Sequence, residues 1–108
     1  MNFGDYQDQS ARTMPKGLLL EPLLTNLCLG LAGEGGEIIE HVKKVVFHGH
    51  SLDRAYLQKE LGDVLWYVAA LATALEIDLD AAAEQNIDKL KARYPDGFDK
   101  SASTGRLA

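Results

Sequence analysis

The chain has 108 residues, 46% of them hydrophobic and 25% charged, with a formal net charge of -5. That length admits one small domain with a modest core, of the kind that self-association often completes. The acidic balance excludes the basic footprint that broad binding to a nucleic-acid polymer requires. The single cysteine, Cys28, has no internal disulfide partner and lies among leucines, so a buried packing role is expected of it. No basic segment leads into a long apolar run, and Leu18-Leu19-Leu20 is interrupted at once by Glu21 and Pro22. No signal peptide or membrane span is therefore expected, and a soluble cytoplasmic protein is the default.

Residues 2 to about 13 carry Phe3, Tyr6, Ala11 and Met14 among polar residues, an intermittent helical stripe. Pro15 and Gly17 then break the pattern. A second helical run begins near Leu19 and continues through Leu20, Leu23, Leu24, Leu27, Leu31, Ile38, Val42 and Val45. Pro22 suits its first turn, where a missing N–H does little harm. Gly30, Gly33, Gly35 and Gly36 fall inside this run. They read equally well as a kink or boundary and as a close approach of a neighbouring helix or ligand. His48-Gly49-His50 marks a turn. Ser51 is the expected cap of a third helix, with Asp53 in its first turn, running to about Leu75. Tyr56, Leu57, Leu61, Val64, Leu65, Val68, Leu71 and Leu75 give that helix spacings of three and four. Asp78 or Asp80 caps a fourth helix, from about Leu79 to Tyr94, which Pro95 and Gly97 end. No strand-like alternation and no repeat occur. The expected architecture is all-α: a compact bundle of about four helices forming a single domain over residues 1–100, with a small polar tail over 101–108 expected to be mobile.

Two acidic pairs stand out, Glu34 with Glu37 and Glu60 with Asp63, each three residues apart. On a helix such residues share a face. Apolar residues lie beside both pairs, Ile38 and Val42 near the first, Val64 and Leu71 near the second. Bringing the two faces together places four carboxylates around one point, an arrangement that repels itself unless a cation enters. Oxygen-only ligands favour magnesium, or manganese as a substitute, over zinc. A di-iron bundle would need Glu-x-x-His on its helices, whereas His41 follows Glu37 by four. The plainer reading of the same residues is a solvated helix face.

Three blocks in order resemble the MazG-like family, the all-α nucleoside triphosphate pyrophosphohydrolases. They are Leu31-Ala32-Gly33-Glu34-Gly35-Gly36-Glu37, then Lys59-Glu60-Leu61-Gly62-Asp63-Val64-Leu65-Trp66-Tyr67, then Asn86 to Pro95. The resemblance covers roughly residues 19 to 98. It implies hydrolysis of a (deoxy)nucleoside triphosphate between the α and β phosphates, giving a nucleoside monophosphate and pyrophosphate, as in nucleotide-pool house-cleaning. Carried over by position, it makes Glu34, Glu37, Glu60 and Asp63 magnesium ligands. Lys89 and Arg93, four apart on one helical face, become candidates for phosphate oxygens, and Asn86 for the sugar or a phosphate. A carboxylate free of the metal is expected to take the proton of the attacking water, Glu37 first and Glu40 second. Trp66 is a candidate to stack on the base, though such an aromatic is more often a core or subunit contact. His41 is expected to pack or cap more than to touch substrate. Single-domain relatives associate through their helices, which implies a homodimer or a tetramer. The competing readings are a non-catalytic helical regulatory module and a hydrolase of a related pyrophosphate such as phosphoribosyl-ATP.

Overall fold

The computed structural model describes residues 1–105; positions 106–108, the end of the expected tail, lie outside the described residues. It contains helices α1 (Phe3–Ala11), α2 (Leu20–Phe47), α3 (Arg54–Ala74), α4 (Leu79–Arg93) and α5 (Lys100–Thr104), and no strand among the described residues. The all-α reading is borne out, with one short helix more than the sequence suggested. Asp99 explains the addition: its carboxylate accepts from the Ser101 N–H at 2.9 Å and starts a turn that small polar residues alone would not nucleate. No helix of the described residues is long and apolar enough to cross a membrane.

The helix starts follow from local chemistry. Asn2 and Asp5 form a reciprocal capping box on α1, Asn2 Oδ1 accepting from Asp5 N at 2.7 Å and Asp5 Oδ2 from Asn2 N at 3.4 Å. Asp53, not Ser51, caps α3, accepting from Tyr56 N at 3.0 Å. The correction is one of register, because the turn after His48 stays non-helical through Asp53. Asp78 caps α4. The 28 residues of α2 run unbroken through all four glycines. A side chain at Gly30 would collide with the Tyr67 ring, so that glycine marks a close approach of α3. Gly33, Gly35 and Gly36 face open space. They do not end the helix, because packing against α3 outweighs a cost of about 0.5–1 kcal/mol each.

Helices α2 and α3 form an antiparallel hairpin, α1 lies on α3, and α4 on α1. Gln7 fastens α1 to the α3–α4 turn. Its Nε2 donates to Ile77 O at 2.8 Å and Thr73 Oγ1 at 3.3 Å, while its Oε1 accepts from Leu79 N at 2.9 Å. Fully or nearly buried apolar residues are few: Leu27, Ala69, Ala70, Ala72 and Leu79. The Cα radius of gyration is 17.0 Å, against about 13 Å for a compact domain of this length. The accessible surface is 8104 Å², against about 5,900 Å² for a folded monomer of this mass. Many large apolar side chains are among the exposed residues. Ile39, Val42 and Val46 lie exposed along one side of α2, and Leu61, Val68 and Leu75 recur every seven residues along α3, also exposed. Cys28 shares that side of α2 and is exposed, contrary to the buried packing role expected of it. Its neighbouring leucines are neighbours in sequence; on the helix only Leu27 turns fully inward.

The turn between α3 and α4 holds a strained residue. Glu76 has φ 57°, the left-handed position of a Schellman motif in which Ile77 N donates to Ala72 O at 2.8 Å and Glu76 N to Thr73 O at 3.1 Å. Glycine adopts this conformation without steric cost. Glu76→Gly is therefore expected to raise stability by about 1 kcal/mol in urea unfolding. A lower unfolding midpoint would mean that the Glu76 side chain contributes more than its strain removes.

Candidate functional site

The α2–α3 hairpin turns Glu34 and Glu37 toward Glu60, and one carboxylate oxygen from each of the three lies within 4.8 Å of the other two. Glu60 is only 7% exposed, Glu34 half-buried, Glu37 exposed at the rim. Glu34 Oε2 and Glu60 Oε2 are buried without a hydrogen-bond partner among the described residues. Hydrogen bonding to Glu34 is the largest cause that pushes the Glu60 carboxyl up to about 7, followed by burial and then by Glu37. Three acids and two orphaned oxygens in one place leave two ways to lower the energy, a trapped proton or a cation. The donor set is oxygen alone, and its inner members lie out of water. Such a set could hold a divalent metal ion.

Asp63, the fourth acid of the sequence pattern, is exposed and stands outside this group. Three residues advance a helix by about 4.5 Å and turn it 60° short of a full revolution, enough to carry Asp63 past the point where the other three meet. Glu40 is also exposed, and it pairs with Lys43 at 3.1 Å and Lys44 at 3.9 Å. The hydrogen bond from Lys43 is the first reason its carboxyl is held below the usual range. Beside the acids opens a cavity of about 500 Å³ lined by Glu37, Glu40, His41, Lys44, His50, Ser51, Asp53 and Tyr56. His41 does what the sequence suggested more than contact substrate: its Nε2 accepts from Asp53 N at 3.1 Å, and its ring packs on Tyr56 at 5.3 Å. Tyr56 figured in the sequence only as an apolar position of α3. Its signal was there, since it precedes Glu60 by one helical turn as His41 follows Glu37 by one.

Other candidates sit elsewhere in the chain. Trp66 donates Nε1–H to Thr13 Oγ1 at 2.8 Å and meets Tyr67 edge-on at 5.0 Å, which ties the end of α1 to α3. Asn86 and Lys89 are exposed on α4, which packs on α1. Arg93 lines a separate hollow with Asp96, Phe98 and Asp99. None of these four lines the cavity beside the carboxylates.

Comparison with known proteins follows the same blocks. Residues 24–98 match the MazG nucleotide pyrophosphohydrolase domain. The Gene 37 protein of Mycobacterium phage L5 is 38% identical over 87 residues, 77% of this chain and 76% of that protein. The dCTP pyrophosphatase 1 of Homo sapiens is 39% identical over 84 residues, 72% of this chain but 49% of that enzyme. That of Rattus norvegicus is 41% identical over 76 residues, 65% of this chain and 45% of the enzyme. The chain thus spans about half the length of these mammalian relatives. No solved structure matches it.

The acid cluster sets a pH dependence. Without a divalent ion, folded Glu60 holds its proton up to about 7, whereas the unfolded chain releases it near the ordinary 4.5. The folded state then binds more protons than the unfolded one between those values. The resulting stability is fully present below 4.5 and is lost as pH rises through about 7. The metal-free protein is expected to melt at a higher temperature at pH 5 than at pH 8, and added manganese to raise the melting point more at pH 8. An ion effect of equal size at both values would separate ion binding from Glu60.

Proposed function

This chain belongs to the MazG nucleotide pyrophosphohydrolase family, and on that premise we propose that it hydrolyses a nucleoside triphosphate between the α and β phosphates. The products are a nucleoside monophosphate and pyrophosphate. The single observation that carries this reading is the meeting of Glu34, Glu37 and Glu60, two of them with buried orphaned oxygens, at the edge of an open cavity. A merely solvated acidic face would not bury Glu60 to 7%.

Glu34 and Glu60 would hold magnesium or manganese from the inside and one oxygen of Glu37 would complete the set at the rim, with Asp63 farther out along α3. The ion, when bound, supplies the positive charge that offsets the triphosphate. The chain's own residues supply the rest. Glu37 faces both the cluster and the cavity, and accepts the proton of the water that attacks the α phosphorus. The same water adds its oxygen to the monophosphate, and the pyrophosphate leaves with the bridging oxygen. Glu40, engaged by Lys43 and Lys44 and held below the usual carboxylate range, is the poorer base of the two. The names of the mammalian relatives make dCTP the first nucleotide to test.

The chain acts in the cytoplasm as a homodimer or a tetramer built from dimers. Three features support association: the 8104 Å² surface, the 17.0 Å radius of gyration and the apolar stripes of α2 and α3. A subunit boundary over those stripes is also where Asn86, Lys89 and Arg93 of one protomer reach the phosphates held by another, since none of them lines its own cavity.

Two measurements test these readings. Pyrophosphate release from a panel of nucleoside triphosphates is expected with magnesium and not after chelation, and Glu60→Gln is expected to lower it at least about 100-fold with the helices intact. Release unaffected by that substitution would refute the site. Light scattering is expected to give the mass of a dimer or tetramer, and Leu61→Glu with Val68→Glu to shift it toward the monomer; a monomeric parent protein would remove the association.

A further inference from the structure

We propose that Lys44 is a specificity-determining residue of this site, whose ammonium binds the terminal phosphates of the substrate, the two that leave as pyrophosphate. The inference rests on the pyrophosphohydrolase reading and deepens it. A triphosphate is an anion, and a wall of acids receives it only if cations stand on its path. Among the described residues that line the cavity of about 500 Å³, Lys44 is the sole lysine or arginine. Lys89 and Arg93 do not line it. The His41 Nε2 is already engaged, as the acceptor of Asp53 N at 3.1 Å.

The place of Lys44 on α2 gives it both reach and freedom. Glu37, Glu40, His41 and Lys44 recur at helical spacing and all line the cavity, so one face of α2 runs along it. Helical side chains lean toward the N-terminus, and the Lys44 Nζ lies 3.9 Å from Glu40 Oε1. The ammonium is thereby brought back to the level of Glu40, about 4.5 Å along the axis from Glu37. That is comparable to the reach of a triphosphate from its α phosphorus to its last phosphate. Glu40 does not hold Lys44 back. Its carboxylate is closer to Lys43, at 3.1 Å, and Lys43 does not line the cavity. Lys43 therefore offsets the Glu40 charge and leaves Lys44 as a surplus cation on the wall. Both ion pairs are about half-exposed, so exchanging Glu40 for a phosphate loses little. The Lys44 carbonyl accepts from His48 N at 3.0 Å and from His50 N at 3.1 Å, which fixes the turn from which the side chain projects. The cavity is thus polar along its length, with acids at one end and a cation farther along α2. The nucleoside end of the substrate has no charge to offer Lys44, whereas the terminal phosphates do. Lys44 transfers no proton in this role; it offsets charge.

The test uses the full chain and three variants. Lys44→Met removes the charge and keeps the stem, Lys44→Arg keeps the charge, and Lys43→Met alters the neighbouring lysine that does not line the cavity. Calorimetry in magnesium measures inorganic pyrophosphate and, separately, the nucleoside monophosphate of the triphosphate that the parent turns over best. Lys44→Met is expected to weaken pyrophosphate binding about 10-fold and to leave monophosphate binding within about twofold. It is expected to raise KM about 10-fold with kcat changed less than about threefold. Lys44→Arg is expected to stay within about threefold of the parent, and Lys43→Met within about twofold. Manganese alone is expected to bind Lys44→Met and the parent to within about twofold, since Lys44 is no ligand to the ion. Pyrophosphate affinity and KM both unchanged in Lys44→Met overturn the proposal. So does a loss confined to the monophosphate, which puts Lys44 at the nucleoside end, and so does an equal loss in Lys43→Met, which reduces its role to diffuse surface charge. A parent that binds pyrophosphate with magnesium and hydrolyses no triphosphate overturns the pyrophosphohydrolase reading instead, and the calorimetry still decides the role of Lys44. A parent that does neither overturns both.

Discussion

Everything else in this structure is arranged around a carboxylate that has been taken out of water. Glu60 sits 7% exposed between α2 and α3, facing two more acids, with one oxygen partnered by nothing among the described residues. A packed hairpin would ordinarily place leucine or alanine there, as this one does at Leu27, Ala69 and Ala70. Keeping three acids at the same junction is unfavourable for folding in isolation and becomes favourable only when a positive charge joins them. The site is therefore a strained part of the fold whose relief is its chemistry.

That constraint explains why the surroundings are rigid where they are. The hairpin must hold α2 and α3 at fixed separation, and the missing side chain at Gly30 lets Tyr67 close against α2. Helix α1 braces α3 from the other side, through Gln7 at the α3–α4 turn and Thr13 at Trp66. These are polar clamps, each satisfied within a few ångströms, and they compensate for a core of few apolar residues. The same sparseness leaves the apolar stripes of α2 and α3 exposed, the feature on which the proposed association rests.

The site has an inner part made by burial and an outer part made by orientation. Glu34 and Glu60 belong to the first, and Glu37, exposed on the cavity wall, to the second. On the proposed reading the inner pair would retain a divalent ion and the rim would meet the substrate. Such a division would leave the cavity open while the inner carboxylates stay out of competition with solvent.

The first four helices and their order, the acidic pairs and the family were legible in the amino-acid sequence, because helical periodicity and three-residue spacing are local properties that a chain carries wherever it folds. Capping was legible to within a residue or two: Asp78 was foreseen, whereas Asp53 displaced Ser51 and Asp99 started a helix that the small polar tail did not announce. Which acids meet was a different matter. Spacing put Asp63 beside Glu60, but the crossing of α2 on α3 selects Glu60 alone, and only packing sets that crossing. The same holds for Cys28, whose leucine neighbours in sequence lie on other faces of the helix, and for Trp66, which faces α1 and not the acids. The sequence by itself determined which residues could do the chemistry; the tertiary structure decided which of them are withdrawn from water together, because burial and mutual approach depend on how helices distant along the chain come to rest against one another.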